Sequence, residues 1–256
     1  MIKFFRTIRR NLLSENKFTK YLLYAIGEIV LVVIGILIAL SINNWNQNRI
    51  DHKNEQTYLR GLRQEFQTSK LKLTELIAVN QSNYNGAKKI LEFMSSKKES
   101  PSEEAFSQLL YTSFSRDISF NPNNSLLSEM INSGNLKILS NAELRRQLTN
   151  WISTIEDISR QEEDLEIQRK KVLDLFRTDE NSLRTILSQA GVYEEIGLPK
   201  PTESISNLNL LDSTHFENNM LMYILSSYAT EKTHYNSLML DLDSILDLID
   251  RELKNE

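Results

Sequence analysis

An uninterrupted apolar stretch near the start constrains this 256-residue chain more than any other feature. Residues 21–42 contain no Lys, Arg or Asp, and 14 of these 22 residues are Leu, Ile or Val. As a helix, they would extend about 33 Å at about 1.5 Å per residue, which matches a bilayer core roughly 30 Å thick. We therefore predict one transmembrane helix over residues 21–43.

A cleaved signal peptide is the alternative interpretation of this stretch. The apolar core of a signal peptide is only about 7–15 residues long and precedes a cleavage site made of small residues. The stretch here is longer, although Ala39 and Ser41 form a weak small-x-small pair. An uncleaved membrane anchor agrees better with the length.

Charge is distributed unevenly along the chain. Residues 1–42 hold six basic and two acidic side chains, and because the whole chain has a formal charge of −4, the remainder carries −8. Basic residues mark the cytoplasmic side of a membrane helix. We predict a basic cytoplasmic tail over residues 1–20 and an extracytoplasmic, periplasmic domain over residues 44–256, held at the inner membrane. Since the body is acidic, we expect no nucleic-acid partner.

One acidic residue, Glu28, interrupts the apolar stretch. A charge at the bilayer centre costs roughly 3 kcal/mol, which 14 aliphatic residues outweigh. Glu28, Gly35 and Ala39 share one helix face, and the small pair Gly35 and Ala39 allows a second helix to approach closely. We predict a helix–helix interface here, in a homo-oligomer or with a membrane-protein partner. The alternative is a lipid-facing helix with Glu28 neutral near the headgroups.

The rest of the chain has a seven-residue apolar repeat. The seam that begins at Leu59 has apolar residues at eight of its twelve positions. The seams that begin at Leu144 and Leu221 each have apolar residues at eight of ten positions. This period is typical of long amphipathic helices. We predict long helices at about 46–96, 141–178 and 213–254, shorter ones near 101–114, 125–133 and 180–190, and a loop over 191–212. The predicted fold class is all-α, with an elongated antiparallel helical bundle after the transmembrane helix and a parallel dimeric coiled coil as the competing arrangement.

Polar residues interrupt these three seams. They are Asn80, Asn83, Glu162, Arg169 and Glu231. If the seams meet, Asn80, Glu162, Arg169 and Glu231 could form a buried polar core layer, with Arg169 paired to Glu162 or Glu231. The alternative, which the imperfect seams favour, places these residues at the rim.

Candidate chemistry is sparse. Cys is absent and only three His are present, which excludes thiolate sites and disulfides. The Glu-x-x-His motif at Glu231 and His234 matches half of a di-metal site. The most similar second motif ends at His215, which lies 19 residues before His234, or about 28 Å along a helix, so the two His cannot share a site within one chain. No phosphate loop or nucleophile elbow is present. We predict no catalytic residue, no metal and no cofactor.

Several blocks of the sequence resemble a known bacterial family. They are Met1-Ile-Lys-Phe-Phe-Arg6, Asn11-Leu-Leu-Ser-Glu-Asn-Lys17, Lys20-Tyr-Leu-Leu-Tyr-Ala-Ile-Gly-Glu-Ile29, Val33-Ile-Gly-Ile-Leu-Ile-Ala-Leu40, Ile42-Asn-Asn-Trp-Asn46 and, more weakly, Ser133-Gly-Asn-Leu136 with Glu143-Leu-Arg145. Together they resemble domain-of-unknown-function family 6090. The resemblance implies a single-span protein of Gram-negative bacteria with a helical outer part and places Glu28 inside the family pattern. It implies no activity and no site residues.

These features favour a non-enzymatic, membrane-anchored helical scaffold or protein-interaction module of the bacterial envelope. The alternative is an extracytoplasmic helical bundle that senses a ligand. A tail of about 20 residues is too short for an output domain, so a sensor of this kind would signal through a separate partner protein. A metal-bundle enzyme is a distant third hypothesis.

Overall fold

The computed structural model describes residues 18–96, 100–199 and 204–254. All regular structure in these ranges is helical, which confirms the all-α prediction. Most of the predicted cytoplasmic tail, residues 1–17, lies outside the described residues. The chain divides into two compact units, residues 1–57 and 58–256. The described residues of the second unit are called the helical body below.

Helix α1, Phe18–Ser95, is a single helix of 78 residues. It contains both the predicted transmembrane segment and the predicted helix 46–96, because no Pro interrupts the sequence before Pro101. By length and composition, α1 includes a segment able to cross a membrane, and none of that segment is buried within the chain.

Shorter helices complete the helical body. They are α2 Glu103–Phe114, α3 Ser125–Asn132, α4 Ala142–Asp174, α5 Leu183–Gln189, α6 Val192–Glu195, α7 Thr214–Ala229 and α8 Asn236–Lys254, with 3₁₀ turns at Asn135–Ile138, Leu175–Arg177 and Leu208–Asp212. A π-helical segment, Thr230–Tyr235, joins α7 to α8. The predicted loop over 191–212 is wrong in part, because buried Val192, Tyr193 and Leu210 anchor helical turns within it.

Helix α4 packs against α7 and α8, and α2 packs against α5. Trp151 on α4 contacts Phe66 on α1 with 5.2 Å between ring centroids. The seams predicted from Leu59 and Leu144 face this core; their fully or nearly fully buried members include Leu59, Leu62, Phe66, Leu73, Ile90, Leu144, Leu148, Trp151, Leu165 and Val172.

Side chains also join α1 to the C-terminal helices. Arg63 pairs with Asp250 (2.8 Å), and Lys70 pairs with Asp243 (2.5 Å). Glu65 on α1 caps the N-terminus of α3. Its two carboxylate oxygens accept hydrogen bonds from the backbone N–H groups of Leu126 (2.7 Å) and Leu127 (3.1 Å).

The third predicted seam has the wrong register before the π segment. Leu221 and Tyr228 are 49 % and 46 % exposed, whereas the preceding residues, Met220 and Ser227, are completely buried. After the π segment the seam is as predicted, with Tyr235, Leu238, Leu242, Ile245 and Ile249 buried. The physical reason is that a π turn holds one residue more than an α turn, which shifts the buried stripe by one position.

Candidate functional site: a polar layer at the π segment

Polar side chains from α1 and α4 converge on the π segment. Asn80 Nδ2 on α1 donates to the carbonyl oxygen of Ser227 (3.0 Å), in the last turn of α7. Four residues later, Glu231 accepts hydrogen bonds from α1, and four residues later again Tyr235 donates to Glu162 on α4. We call this set the polar layer; its members are Asn80, Gln81, Tyr84, Glu162, Ser227, Glu231 and Tyr235.

Glu231 is the most deeply buried carboxylate of the layer, with 1 % of its surface exposed. Its Oε2 accepts from Tyr84 Oη (2.9 Å), and its Oε1 accepts from Gln81 Nε2 and Lys232 Nζ (3.0 Å each). Burial acts to raise the pKa of Glu231, but the hydrogen bonds from Lys232, Gln81 and Tyr84 outweigh it, so the pKa is lowered. Glu231 is therefore ionised at neutral pH.

Tyr84 is held as a hydrogen-bond donor. Burial and the hydrogen bond to the Glu231 carboxylate raise the pKa of Tyr84 to about 12. Its ring meets the ring of Tyr228 edge to face, with 6.2 Å between centroids. Lys88 Nζ lies 4.6 Å from the Tyr84 ring centroid, and Lys232 Nζ lies 5.6 Å from that of Tyr228. Cation–π contacts of this kind place positive charge beside the buried carboxylate.

Glu162 has a different environment at the other end of the π segment. It is 6 % exposed, and its Oε1 accepts from the backbone N–H of Phe120 (2.9 Å) and from Tyr235 Oη (2.6 Å). Burial raises the pKa of Glu162, and the two hydrogen bonds only partly oppose this effect. Burial also raises the pKa of Tyr235. The two buried carboxyl groups of the layer therefore have pKa values shifted in opposite directions.

Arg169 lies outside the polar layer. Its guanidinium binds Glu166 with both Nε (2.6 Å) and Nη2 (3.0 Å), and Nη1 donates to the carbonyl oxygen of Phe114 (2.5 Å). The structure thus brings Asn80, Glu162 and Glu231 to the π segment, while Arg169 pairs with its neighbour on α4. It does not make the predicted pair with Glu162 or Glu231.

A cleft of about 550 Å³ opens beside the layer. Glu162 and Arg169 both line it, together with Asp117, Glu166 and Lys170. Charges of both signs therefore face the cleft, which suits a small polar molecule better than an apolar one.

The predicted membrane-helix interface lies on one face of α1 in the N-terminal unit. Gly35 and Ala39 are exposed, and Glu28 is half-buried. A Cβ atom added at Gly35 would meet nothing within 4 Å. At Gly35 and Ala39 this face is therefore uncovered.

The Glu-x-x-His motif forms no metal centre in the part of the chain that the structure describes. No group of three His, Asp or Glu side chains there could hold a metal ion. Both carboxylate oxygens of Glu231 already accept hydrogen bonds, and His215 contacts Asn219.

Sequence reasoning missed Gln81, Tyr84, Ser227 and Tyr235 as members of the layer. Tyr235 belongs by its spacing to the apolar seam that begins at Leu221, but a buried Tyr hydroxyl also needs a hydrogen-bond partner. That requirement is the signal that could have linked Tyr235 to a polar seam residue such as Glu162.

A comparison with protein-family models identifies the family of this chain. A model described as a family of unknown function (DUF6090) matches residues 28–174, more than half of the chain. The chain belongs to this family. The DUF6090 match begins at Glu28 and ends at the last residue of α4, so it includes Asn80, Tyr84 and Glu162 and stops before the π segment. The predicted family is confirmed. No curated protein and no solved structure matches the chain.

Proposed function

We propose that this DUF6090 protein is a membrane-anchored helical interaction module without catalytic activity. The observation that carries the proposal is the exposure of every Leu, Ile and Val in residues 21–42, which ranges from 47 % to 69 %. Soluble monomers rarely expose a contiguous apolar surface larger than a few hundred Å². A bilayer removes the unfavourable contact of this surface with water.

The orientation follows the positive-inside rule, with the basic tail in the cytoplasm and the helical body outside it. Because the chain has no native Cys, single Cys substitutions report the side directly. In spheroplasts, a membrane-impermeant maleimide should label Glu163→Cys in the helical body. It should label Ser14→Cys in the tail only after permeabilisation. The reverse pattern would contradict the orientation.

Within the helical body we propose an antiparallel bundle. Position numbers rise along α1 from Arg63 to Lys70 to Gln81, while their partners fall from Asp250 to Asp243 to Glu231. Because the residue numbers of the contacts rise on α1 and fall on the C-terminal helices, the three contacts support antiparallel packing of α1 against those helices.

We further propose that two copies meet through the face of Glu28, Gly35 and Ala39. Ala39→Cys should then form a disulfide-linked dimer in membranes, whereas Leu37→Cys, half a helix circumference from Glu28, should not. Gly35→Ile should abolish the Ala39→Cys dimer because it blocks close approach.

Gly27→Ile is the matched control, since a Cβ atom at Gly27 also meets nothing within 4 Å. It should leave the dimer intact. Equal crosslinking at positions 37 and 39, or none at either, would refute the proposed face.

Ligand sensing is the second candidate, and the cleft beside Glu162 and Arg169 favours it. A sensor of this form would pass its signal to a partner protein. Native mass spectrometry of the full chain, purified from membranes, should then reveal a bound small molecule that Arg169→Ala releases. If the purified protein carries no small molecule, the sensing hypothesis is refuted and the interaction module remains the proposed function of the helical body.

A further inference from the structure

An apolar pocket of about 390 Å³ lies between α2, α4, α5 and α6. Nine of the described residues that line it are Leu, Ile, Val or Phe, and the other three are Tyr111, Ser115 and Arg169. Small-molecule sites have volumes of roughly 300–1,000 Å³ and mostly apolar walls with a few polar groups. This cavity, which we call the apolar pocket, differs from the polar cleft beside Glu162, although Arg169 lines both.

The rim of the apolar pocket leaves large apolar side chains in water. Leu183, in the first turn of α5, is 45 % exposed, and Ile196, directly after α6, is 57 % exposed. The walls also include Phe114 and Ile186, which are almost fully buried. An apolar ligand would cover the exposed rim and remove its contact with water. The walls therefore favour a ligand that is apolar over most of its length.

Arg169 is the only charged side chain among the described residues that line the apolar pocket. Its Nε and Nη2 bind Glu166, and its Nη1 donates to the carbonyl oxygen of Phe114. Because each Nη carries two N–H groups, one on Nη1 and one on Nη2 have no acceptor among the described residues. The carboxylates of Glu166 and Asp117 line the cleft but not the apolar pocket. The pocket thus contacts a guanidinium with unused donors, and a carboxylate is the acceptor that matches such donors best.

The apolar pocket has a polar end and an apolar end. Leu173 and Phe176 line it four and seven residues after Arg169, so it extends about 10 Å along α4 and the 3₁₀ turn that follows. Arg169 lies at the C-terminus of α2, because it binds the Phe114 carbonyl there. At the other end, Asn181 Nδ2 donates to the carbonyl oxygen of Leu175 (3.2 Å), which holds the start of α5 beside Phe176. A ligand with one polar head and one apolar chain matches this arrangement.

We propose that the apolar pocket binds the anion of an alkyl carboxylic acid. The carboxylate accepts hydrogen bonds from the unused N–H groups of Arg169, and the alkyl chain extends past Leu173 and Phe176 toward Leu183 at the rim. The site goes beyond the interaction module, and it depends neither on dimer formation nor on a ligand in the polar cleft.

Calorimetric titration of octanoate into the full-length chain, held in lipid nanodiscs, tests the proposal. After subtraction of the heat measured with empty nanodiscs, octanoate should bind saturably at a single site per chain. Butanoate keeps the carboxylate and shortens the chain, whereas 1-octanol keeps the chain and lacks the carboxylate. Each should bind at least about tenfold more weakly, because butanoate buries fewer methylene groups and 1-octanol makes no charge-assisted hydrogen bond. Octanoate that does not saturate the protein, or that binds no more tightly than either analogue, overturns the proposal.

Two Leu residues of equal exposure locate the site. Leu183→Asp places a charge in the pocket wall and should weaken octanoate binding at least about tenfold, while an acidic residue is well tolerated in the first turn of α5. Leu198→Asp is the matched control, because Leu198 is 46 % exposed and does not line the pocket. It should leave the affinity for octanoate unchanged. Equal affinities in the two variants would contradict the assigned site.

Two basic residues identify the group that binds the carboxylate. Arg169→Gln should weaken octanoate binding at least about tenfold and change the affinity for 1-octanol by less than about twofold, a difference that a general loss of structure does not produce. Lys170→Ala is the control, because Lys170 lines the cleft but not the apolar pocket. It should leave the affinity for octanoate unchanged. If Lys170→Ala weakens octanoate binding as much as Arg169→Gln does, or if Arg169→Gln has no effect, the acid binds elsewhere and the proposal is wrong.

Discussion

The contribution of the polar layer to the free energy of unfolding can be tested at the hydrogen bond between Tyr84 and Glu231. Glu231→Ala leaves the hydroxyl of Tyr84 and the amide of Gln81 without their acceptor. Hydrogen bonds to a charged group contribute about 1.5–3 kcal/mol each, and the exposed ammonium of Lys232 adds little. Because removal of the buried charge offsets part of this loss, we expect the free energy of unfolding to fall by about 3–4 kcal/mol.

A double-mutant cycle isolates the bond itself. Tyr84→Phe should lower the free energy of unfolding by about 1.5–3 kcal/mol, and the double variant should be more stable than the sum of the single losses predicts. The coupling energy between positions 84 and 231 should therefore be about 1.5–3 kcal/mol. Lys232→Ala serves as the control and should change the free energy of unfolding far less than Tyr84→Phe does, because the ammonium of Lys232 is exposed.

Urea unfolding of the full chain in detergent at pH 7 supplies these free energies. Trp151 is a suitable probe, since it is 2 % exposed and packs on Phe66. The second Trp, Trp45, is exposed and can be replaced by Phe to leave one signal. A coupling energy below about 0.5 kcal/mol would refute the argument that this bond holds α1 to the π segment.

Three further predictions follow from single contacts. Because burial raises the pKa of Glu162, the folded state keeps the proton to a higher pH than the unfolded state does, so wild-type stability falls as pH rises through the folded pKa. Glu162→Gln should therefore gain stability relative to wild type between pH 4 and pH 7 in urea titrations, and a relative loss would contradict the assignment. Glu65→Ala should cost about 1–2 kcal/mol in the same assay, because α3 loses its N-terminal acceptor, whereas Glu75→Ala, an exposed change on the same helix, should cost less than about 0.5 kcal/mol. Gly86→Ala would bring a Cβ atom into a steric clash with Ser113 Oγ and should cost about 1–3 kcal/mol, most of which Ser113→Ala should restore; no rescue would mean that the clash lies elsewhere.

The sequence predicts the long helices well because their apolar period is strong. Leu59, Phe66 and Leu73 on α1, and Leu144, Trp151 and Leu165 on α4, all lie in the core as their spacing requires. Helix periodicity is a local property, and these positions need no knowledge of distant contacts.

The register of α7 could not be predicted in this way. Local pattern does not choose between two stripes of α7, because each has three apolar residues in four: Phe216, Met220, Tyr223 and Ser227 are buried, and Glu217, Leu221, Ile224 and Tyr228 follow one residue later. The choice depends on contacts such as that between Asn80 and Ser227, which are 147 positions apart in the chain. The partner of Arg169 was predictable from helix geometry alone, because Glu166 lies three residues earlier and such pairs are neighbours on a helix surface.

Membrane anchoring by residues 21–42 is the central claim, and alkaline carbonate extraction tests it most directly. Membranes from cells that express the full chain should retain the protein in the pellet after extraction. A variant that lacks residues 21–42 should appear in the soluble fraction. Release of the full chain by carbonate, or retention of the shortened one, would contradict the claim.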